Sequence, residues 1–409
     1  MTALVQPFRG LRPNASRLSE VIAPPYDVLS SEEARVQAKD RPWSFLHISK
    51  PEIDLPPDTD VMAPHVYAKA RENLDRMRSA GMLERDERPC YYAYRIRMGD
   101  HVQTGIVVAA SVAAYDEGRI KKHEFTRPDK EDDRVRQIEA TGAQTGPVLL
   151  ACPGSSAVDA ILERITQTAC QNEATAVDGI VHQLWPVTDA DDQRDITALF
   201  EAMPALYIAD GHHRSAAASR VAASRRVVGH EQSSDFFLAV VFPHNQMKIL
   251  DYNRVVRDLN GLTAAEFLTR IAASYTVKPS AVSVKPTESC EVGLYLPGQW
   301  YRLRIHPSLI STDPVARLDV SLLSDTLLGP VLGITDLRRD KRIDFVGGIR
   351  GLPELEKRVD SGEMAAAFAL FPTRMEDLMA VADTGQVMPP KSTWFEPKLA
   401  DGMVSHVLD

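Results

Sequence analysis

Two imidazoles, a guanidinium and a carboxylate fall within five residues at Asp210-Gly211-His212-His213-Arg214. A short apolar run, Tyr207-Ile208-Ala209, precedes them, and an Ala-rich run with high helix propensity, Ser215-Ala216-Ala217-Ala218, follows. The order reads as strand, turn and helix start, with Gly211 allowing a tight turn free of any Cβ penalty. The helix is expected to begin at Ser215. A helix N-terminus presents unpaired N–H groups and a partial positive charge, so it attracts anions. The planar fork of Arg214 matches phosphate oxygens. A capping aspartate beside a solvated basic turn is the simpler explanation of a lone Gly-turn-helix signal. The cluster of Asp210, His212, His213 and Arg214 around Gly211 and Ser215 favours a site that handles phosphate.

Other stretches carry groups that could serve such a site. Gly118–Arg134 is densely charged: Lys121, Lys122, Arg127 and Lys130 could receive phosphates, while Glu124, Asp129 and Glu131 could act as base or metal ligands. Charge-rich loops are also commonly just solvated. In Val21–Val28 the tandem prolines Pro24-Pro25 stiffen the chain. They present Tyr26 and Asp27 either as a preset wall of a ligand site or as part of a rigid connector. Near the end, Lys391-Ser392-Thr393 could bind a phosphate, or the segment could be a tail that packs Trp394 and Phe395. Gly347-Gly348-Ile349-Arg350-Gly351 lacks the glycine spacing of a dinucleotide site.

The elements that must position these groups follow from periodicity and turn signals. Val61–Met82 is helical, with Val66, Ala70, Leu74 and Met77 on one face and Gly81 as C-cap. Cys90–Arg97 and Val102–Val112 form antiparallel strands around Met98-Gly99-Asp100. Trp43–Pro51 reads as a strand with His47 packed in it. Ser30–Ala34 is a capped helix start, and Arg134–Ala140 a helix leading to the loop Thr141–Pro147. Val148–Ala151 is a buried strand, Val158–Ala169 a helix, Gly179–Trp185 a strand, and Asp189–Phe200 an acid-capped helix. Asp235–Pro243 is a core strand, Glu291–Ile305 a hairpin, and Val320–Leu328 a region of short helix.

Composition narrows the classes. The chain of 409 residues has room for two or three domains. Its net charge of −9, without a basic block, weighs against nucleic acid or anionic membrane as the main partner. No apolar run approaches the roughly 20 residues that span a bilayer, and Met1–Leu29 has no signal-peptide core. The cysteines Cys90, Cys152, Cys170 and Cys290 stand far apart, consistent with reduced thiols in a cytoplasmic protein.

The features from Ile120 to about Arg226 resemble the ParB/sulfiredoxin-like superfamily, most of all its free serine kinases. The match rests on His123-Glu124 at a strand end, a helix, a loop into Pro147-Val148-Leu149-Leu150, and Asp210-Gly211-His212-His213-Arg214. The whole chain, from Pro7-Phe8-Arg9-Gly10 through Ile22–Val28 to Lys391-Ser392-Thr393, resembles the bacterial domain-of-unknown-function 1015 family. The implied fold is α+β (mixed α/β), with a ParB/sulfiredoxin-like core at 118–232 between α+β regions at 1–117 and 233–409. The kinase resemblance implies phosphoryl transfer from a nucleotide, ATP or ADP, to the hydroxyl of free serine or a serine-like metabolite. Glu124 would be the base, with His123 and Asp210 also catalytic. Gly211, His212, His213, Arg214, Ser215, Lys122 and Arg127 would hold the nucleotide phosphates. Asp210 would bind Mg2+, and Tyr26 and Asp27 would face the substrate. The expected partners are a nucleotide and a small molecule, with neither nucleic acid nor membrane; the oligomeric state is open, a homodimer being one option. Two departures from the superfamily matter: the reactive cysteine of sulfiredoxins is replaced by His212, and the helix-turn-helix of ParB is missing. Two rivals stand beside the kinase. One is a metal-dependent phosphohydrolase with His123, Asp210, His212 and His213 as ligands. The other is a nucleotide-binding regulatory module that does no chemistry.

Overall fold

The computed structural model describes residues 3–170, 172–227 and 229–409. The chain is mixed α/β and divides into two compact units, Met1–Met247 with Pro397–Asp409, and Lys248–Glu396.

The first unit is built on a nine-stranded sheet. Its strands are β1 (Val5–Gln6), β2 (Tyr91–Met98), β3 (His101–Ser111), β4 (Ile120–Lys121), β5 (Val148–Cys152), β6 (Asn172–Thr175), β7 (Val181–Val187), β8 (Leu206–Asp210) and β9 (Phe236–Pro243). They lie in the order β4-β8-β5-β9-β3-β2-β7-β6, with β1 on β3. The sheet therefore draws strands from both sides of residues 117 and 232. The hairpin β2–β3 turns at Gly99, and β9 runs between β3 and β5, buried along its whole length. A strand covered on both faces needs a continuous apolar run, which Phe236–Pro243 supplies. One face of the sheet packs Ile106, Val108, Leu150, Ile208, Phe237 and Val241 against Ile161, Leu162, Ile196 and Phe200 of two helices.

Three helices bear on the site: α1 (Pro64–Ser79), α2 (Pro128–Thr141) and α3 (His212–Arg225). Val135 and Ile138 of α2 pack with Ala217 and Val221 of α3. The α2 helix starts six residues before the expected Arg134. Pro128 occupies its first turn, where the missing N–H costs nothing, and Asp129 and Glu131 complement the dipole. The chain end returns to this unit: Ser405–Val407 pairs with both Gly10–Pro13 and Ala143–Gln144.

Trp43–Pro51 is not a strand. Leu46–Ser49 is a helical turn followed by a 3-10 turn at Pro51–Asp54, which buries Phe45, Leu46 and Ile48 on one side. His47 Nδ1 pairs with Asp54 at 2.8 Å. The capped start after Ser30 is present, with Ser30 and Glu33 forming a reciprocal capping box. All four cysteines are free, and among the described residues no helix is long and apolar enough to cross a membrane.

The second unit has a six-stranded antiparallel sheet, with Tyr275–Ser280 and Ile343–Gly347 at its edges. The hairpin Glu291–Leu296 with Gln299–Ile305 lies within it. Here Lys391 adopts φ 60°, its carbonyl accepts from Arg254, and its Nζ lies 5.6 Å from the Tyr252 ring. The Ser392 hydroxyl donates to the Pro389 carbonyl, and Trp394 stacks edge-on against Tyr252. This is the packing of an ordered segment around Trp394.

Candidate functional site

The site forms where β8 ends and α3 begins. A register irregularity between Ile208 and Asp210 against β5 swings the strand end, a common way to re-aim side chains beside a site. Gly211 follows at φ 102°. A Cβ there would lie 3.2 Å from Arg214 Nε and 3.3 Å from Val148 Cα, so both conformation and space demand glycine. The helix begins at His212, three residues earlier than expected, and no side chain caps it. Its first hydrogen bond runs from the Ser215 N–H to the Gly211 carbonyl, so the amides of His212, His213 and Arg214 precede the helical ladder.

The two histidines reach across to the 123–127 segment. His212 Nε2 accepts the His123 backbone N–H at 3.4 Å, and His213 Nε2 accepts the Arg127 N–H at 3.1 Å. A neutral imidazole has one lone-pair nitrogen, so accepting at Nε2 leaves the proton on Nδ1 in both rings. Burial holds His212 well below the ordinary imidazole range, and His123 beside it adds to the effect. Burial lowers His213 as well, and pushes His123 down to about 4. The rings of His123 and His212 meet edge to face at 4.5 Å. His123 is 3% exposed and its Nδ1 has no hydrogen-bond partner among the described residues. The Glu124 carboxylate lies 3.9 Å from His212 Nδ1, with its side chain half exposed. A carboxylate facing solvent thus sits beside the uncapped helix start, although 88 residues separate it from His212 in sequence.

Other expected site residues take different places. Arg214 is buried, with Nη1 donating to the Pro147 carbonyl and Nη2 lying 3.4 Å from Asp27 and 3.7 Å from Asp210. Its fork is thus turned under Gly211 towards protein partners. Against the cost of burial, Asp27 and Asp210 raise its pKa further. Burial opposes ionisation of Asp210 too, yet Lys398 Nζ at 3.2 Å and Arg214 hold that carboxyl well below its usual range. The Ser215 hydroxyl donates back to the His212 carbonyl, inside the helix. Lys122 Nζ lies 4.1 Å from the Tyr115 ring, and Arg127 pairs with Asp129 at 2.7 Å on the rim. Tyr26 lies beneath the Arg134 guanidinium at 3.8 Å, and burial pushes its hydroxyl up to about 12.

Sequence reading missed Lys398 and Asp401. Lys398 lies 188 residues from Asp210, and nothing local marks either residue as part of the site.

His123, Glu124 and His212 could together hold a metal ion, their ligand atoms lying within 4.8 Å of one another. The tautomer weighs against this, since a metal on His212 would displace its hydrogen bond from the His123 N–H, and binding at Nδ1 would also move the ring proton to Nε2. Asp210 suits Mg2+ poorly as well. That ion wants several oxygens in an octahedron, whereas Asp210 already faces two cations.

The chain belongs to the family described as "Protein of unknown function (DUF1015)", whose model matches residues 5–321. No curated protein matches it. Among solved structures it is similar to a conserved hypothetical protein from Pyrococcus furiosus, at 16% identity and TM-score 0.35, over 72% of this chain and 93% of that one. It is also similar to a free serine kinase in complex with AMP, at 14% identity and TM-score 0.35, over 71% and 86%. A third is SbnI with C-terminal truncation from Staphylococcus aureus, at 10% and TM-score 0.37, over 72% and 85%. Overlaps this loose carry no functional argument.

Proposed function

We propose that the protein is a small-molecule kinase, moving a phosphoryl group from a nucleotide to the hydroxyl of free serine or a serine-like metabolite. The observation that carries this reading is the solvent-facing Glu124 carboxylate, 3.9 Å from a histidine at an uncapped helix N-terminus. Phosphoryl transfer needs positioning and charge neutralisation more than covalent catalysis. The amides of His212, His213 and Arg214, which precede the helical ladder, receive phosphate oxygens, and Lys122 and Arg127 supply positive charge at the rim. Glu124 takes the proton from the acceptor hydroxyl. His212 and His213 pin the segment that carries Glu124, and Arg214 braces the turn from beneath. A divalent ion bound with the nucleotide would neutralise phosphate charge.

Incubation with γ-labelled ATP, with and without serine, tests the reading. The kinase makes labelled phosphoserine only when serine is present. Free phosphate in both reactions supports the second reading, a metal-dependent phosphohydrolase, which the His123–Glu124–His212 cluster favours. Nucleotide binding with no turnover leaves a regulatory module.

A further inference from the structure

Behind Arg214 lies a cavity of about 30 Å³, lined among others by Tyr26, Ser49, Arg134, Thr145, Arg214 and Asp401. That is room for one or two water-sized groups. Ser49 and Asp401 are 4% and 1% exposed. Among the described residues, Ser49 Oγ and both carboxylate oxygens of Asp401 are buried with no hydrogen bond of good geometry, the backbone N–H of Tyr26 making only a looser contact with Asp401. Unpaired buried polar atoms are rare and costly, so three beside one cavity need an explanation.

The charges around the cavity point the same way. Arg134 pairs with Asp133 at 2.6 Å, Arg214 lies between Asp27 and Asp210, and Lys398 completes Asp210. These cations and carboxylates balance one for one, so an ionised Asp401 adds a negative charge with no cation of its own and shares Arg214 and Arg134 with their carboxylates. Burial pushes its carboxyl up to about 7, with Arg214 and Arg134 pulling against Asp27. A proton taken up by Asp401 near neutral pH would relieve the imbalance.

We propose that this cavity receives a primary ammonium group, held by the Asp401 carboxylate and the Ser49 hydroxyl. An ammonium is the size of a water, brings the missing positive charge, and donates three hydrogen bonds to the three unpaired oxygens. A divalent ion needs about six oxygens, more than the two side chains provide. An anion would meet Asp401. The site stands without the kinase reading. Where that reading holds, it makes the acceptor an amino alcohol or hydroxy amino acid instead of a hydroxy acid.

Calorimetry on the full chain tests it, with methylammonium, trimethylammonium, L-serine and glycerate as probes. Methylammonium and serine are expected to bind wild type and to release a fraction of a proton at pH 7, read from two buffers of different ionisation heat. Trimethylammonium and glycerate are expected to bind far less. Asp401→Asn, matching the protonated carboxyl in shape, should weaken both amines about tenfold or more, and Ser49→Ala a few-fold. Equal amine affinities in wild type and both variants overturn the proposal. So does an absence of any methylammonium heat, which leaves a cavity filled by water. Asp401-dependent serine binding without phosphoryl transfer upholds the cavity and sinks the kinase. Transfer to serine unaffected by Asp401→Asn does the reverse.

Discussion

His213→Leu tests how the segment bearing Glu124 is held. The substitution keeps an apolar body of similar size and removes the acceptor of the Arg127 N–H, now bonded at 3.1 Å. Arg127 is exposed, so water replaces the lost partner and no desolvation penalty is left behind. The expected loss is therefore that of one ordinary hydrogen bond, about 0.5–1.5 kcal/mol, a roughly two- to tenfold rise in local opening. Amide exchange followed by NMR reads this at Arg127 directly. His213→Gln can place its side-chain oxygen near the lost Nε2, and it should recover most of the protection. Core amides in β9 should exchange unchanged in both variants. Equal protection of Arg127 in wild type and His213→Leu, or no recovery in His213→Gln, would refute the assignment of His213 as the staple.

Gly211→Ala places a Cβ at φ 102° against Arg214 and Val148, and should destabilise the first unit by about 1–3 kcal/mol in denaturant titrations; stability within a few tenths of wild type contradicts that. Asp401 gives a pH signature. A folded-state pKa raised from 3.8 to about 7 contributes stability below pH 4 that is lost as pH rises through 7, on the order of 4 kcal/mol at most. Asp401→Asn should therefore match wild type near pH 4 and exceed it at pH 8 in ligand-free protein, and parallel stability curves exclude the raised pKa.

Much of this architecture is legible locally. The hairpin β2–β3 follows from two runs rich in β-formers, the first carrying Tyr91, Tyr92 and Tyr94, on either side of a glycine turn, and the strand Phe236–Pro243 from an unbroken apolar run. The Asp210–Arg214 turn is visible because Gly211 and its charged neighbours are contiguous. Its helix starts early because tertiary contacts of His212 and His213 recruit residues of middling helix propensity, whereas the alanine run dominates any local reading. Trp43–Lys50 misleads because a short apolar run does not separate a strand from a buried helical turn. The inward turn of Arg214 depends on Pro147 and Asp27, and the arrival of Lys398 and Asp401 on chain return near the C-terminus. Neither leaves a mark in nearby residues.

Glu124→Gln offers the most direct test of the kinase reading, with a nucleotide binding curve and a phosphoserine-forming rate measured on the same protein. Glutamine keeps size and most hydrogen bonding while removing basicity. The account predicts nearly constant nucleotide affinity and turnover lower by about a hundredfold or more. Turnover within about twofold of wild type, the scale expected of a solvated surface carboxylate, would contradict it.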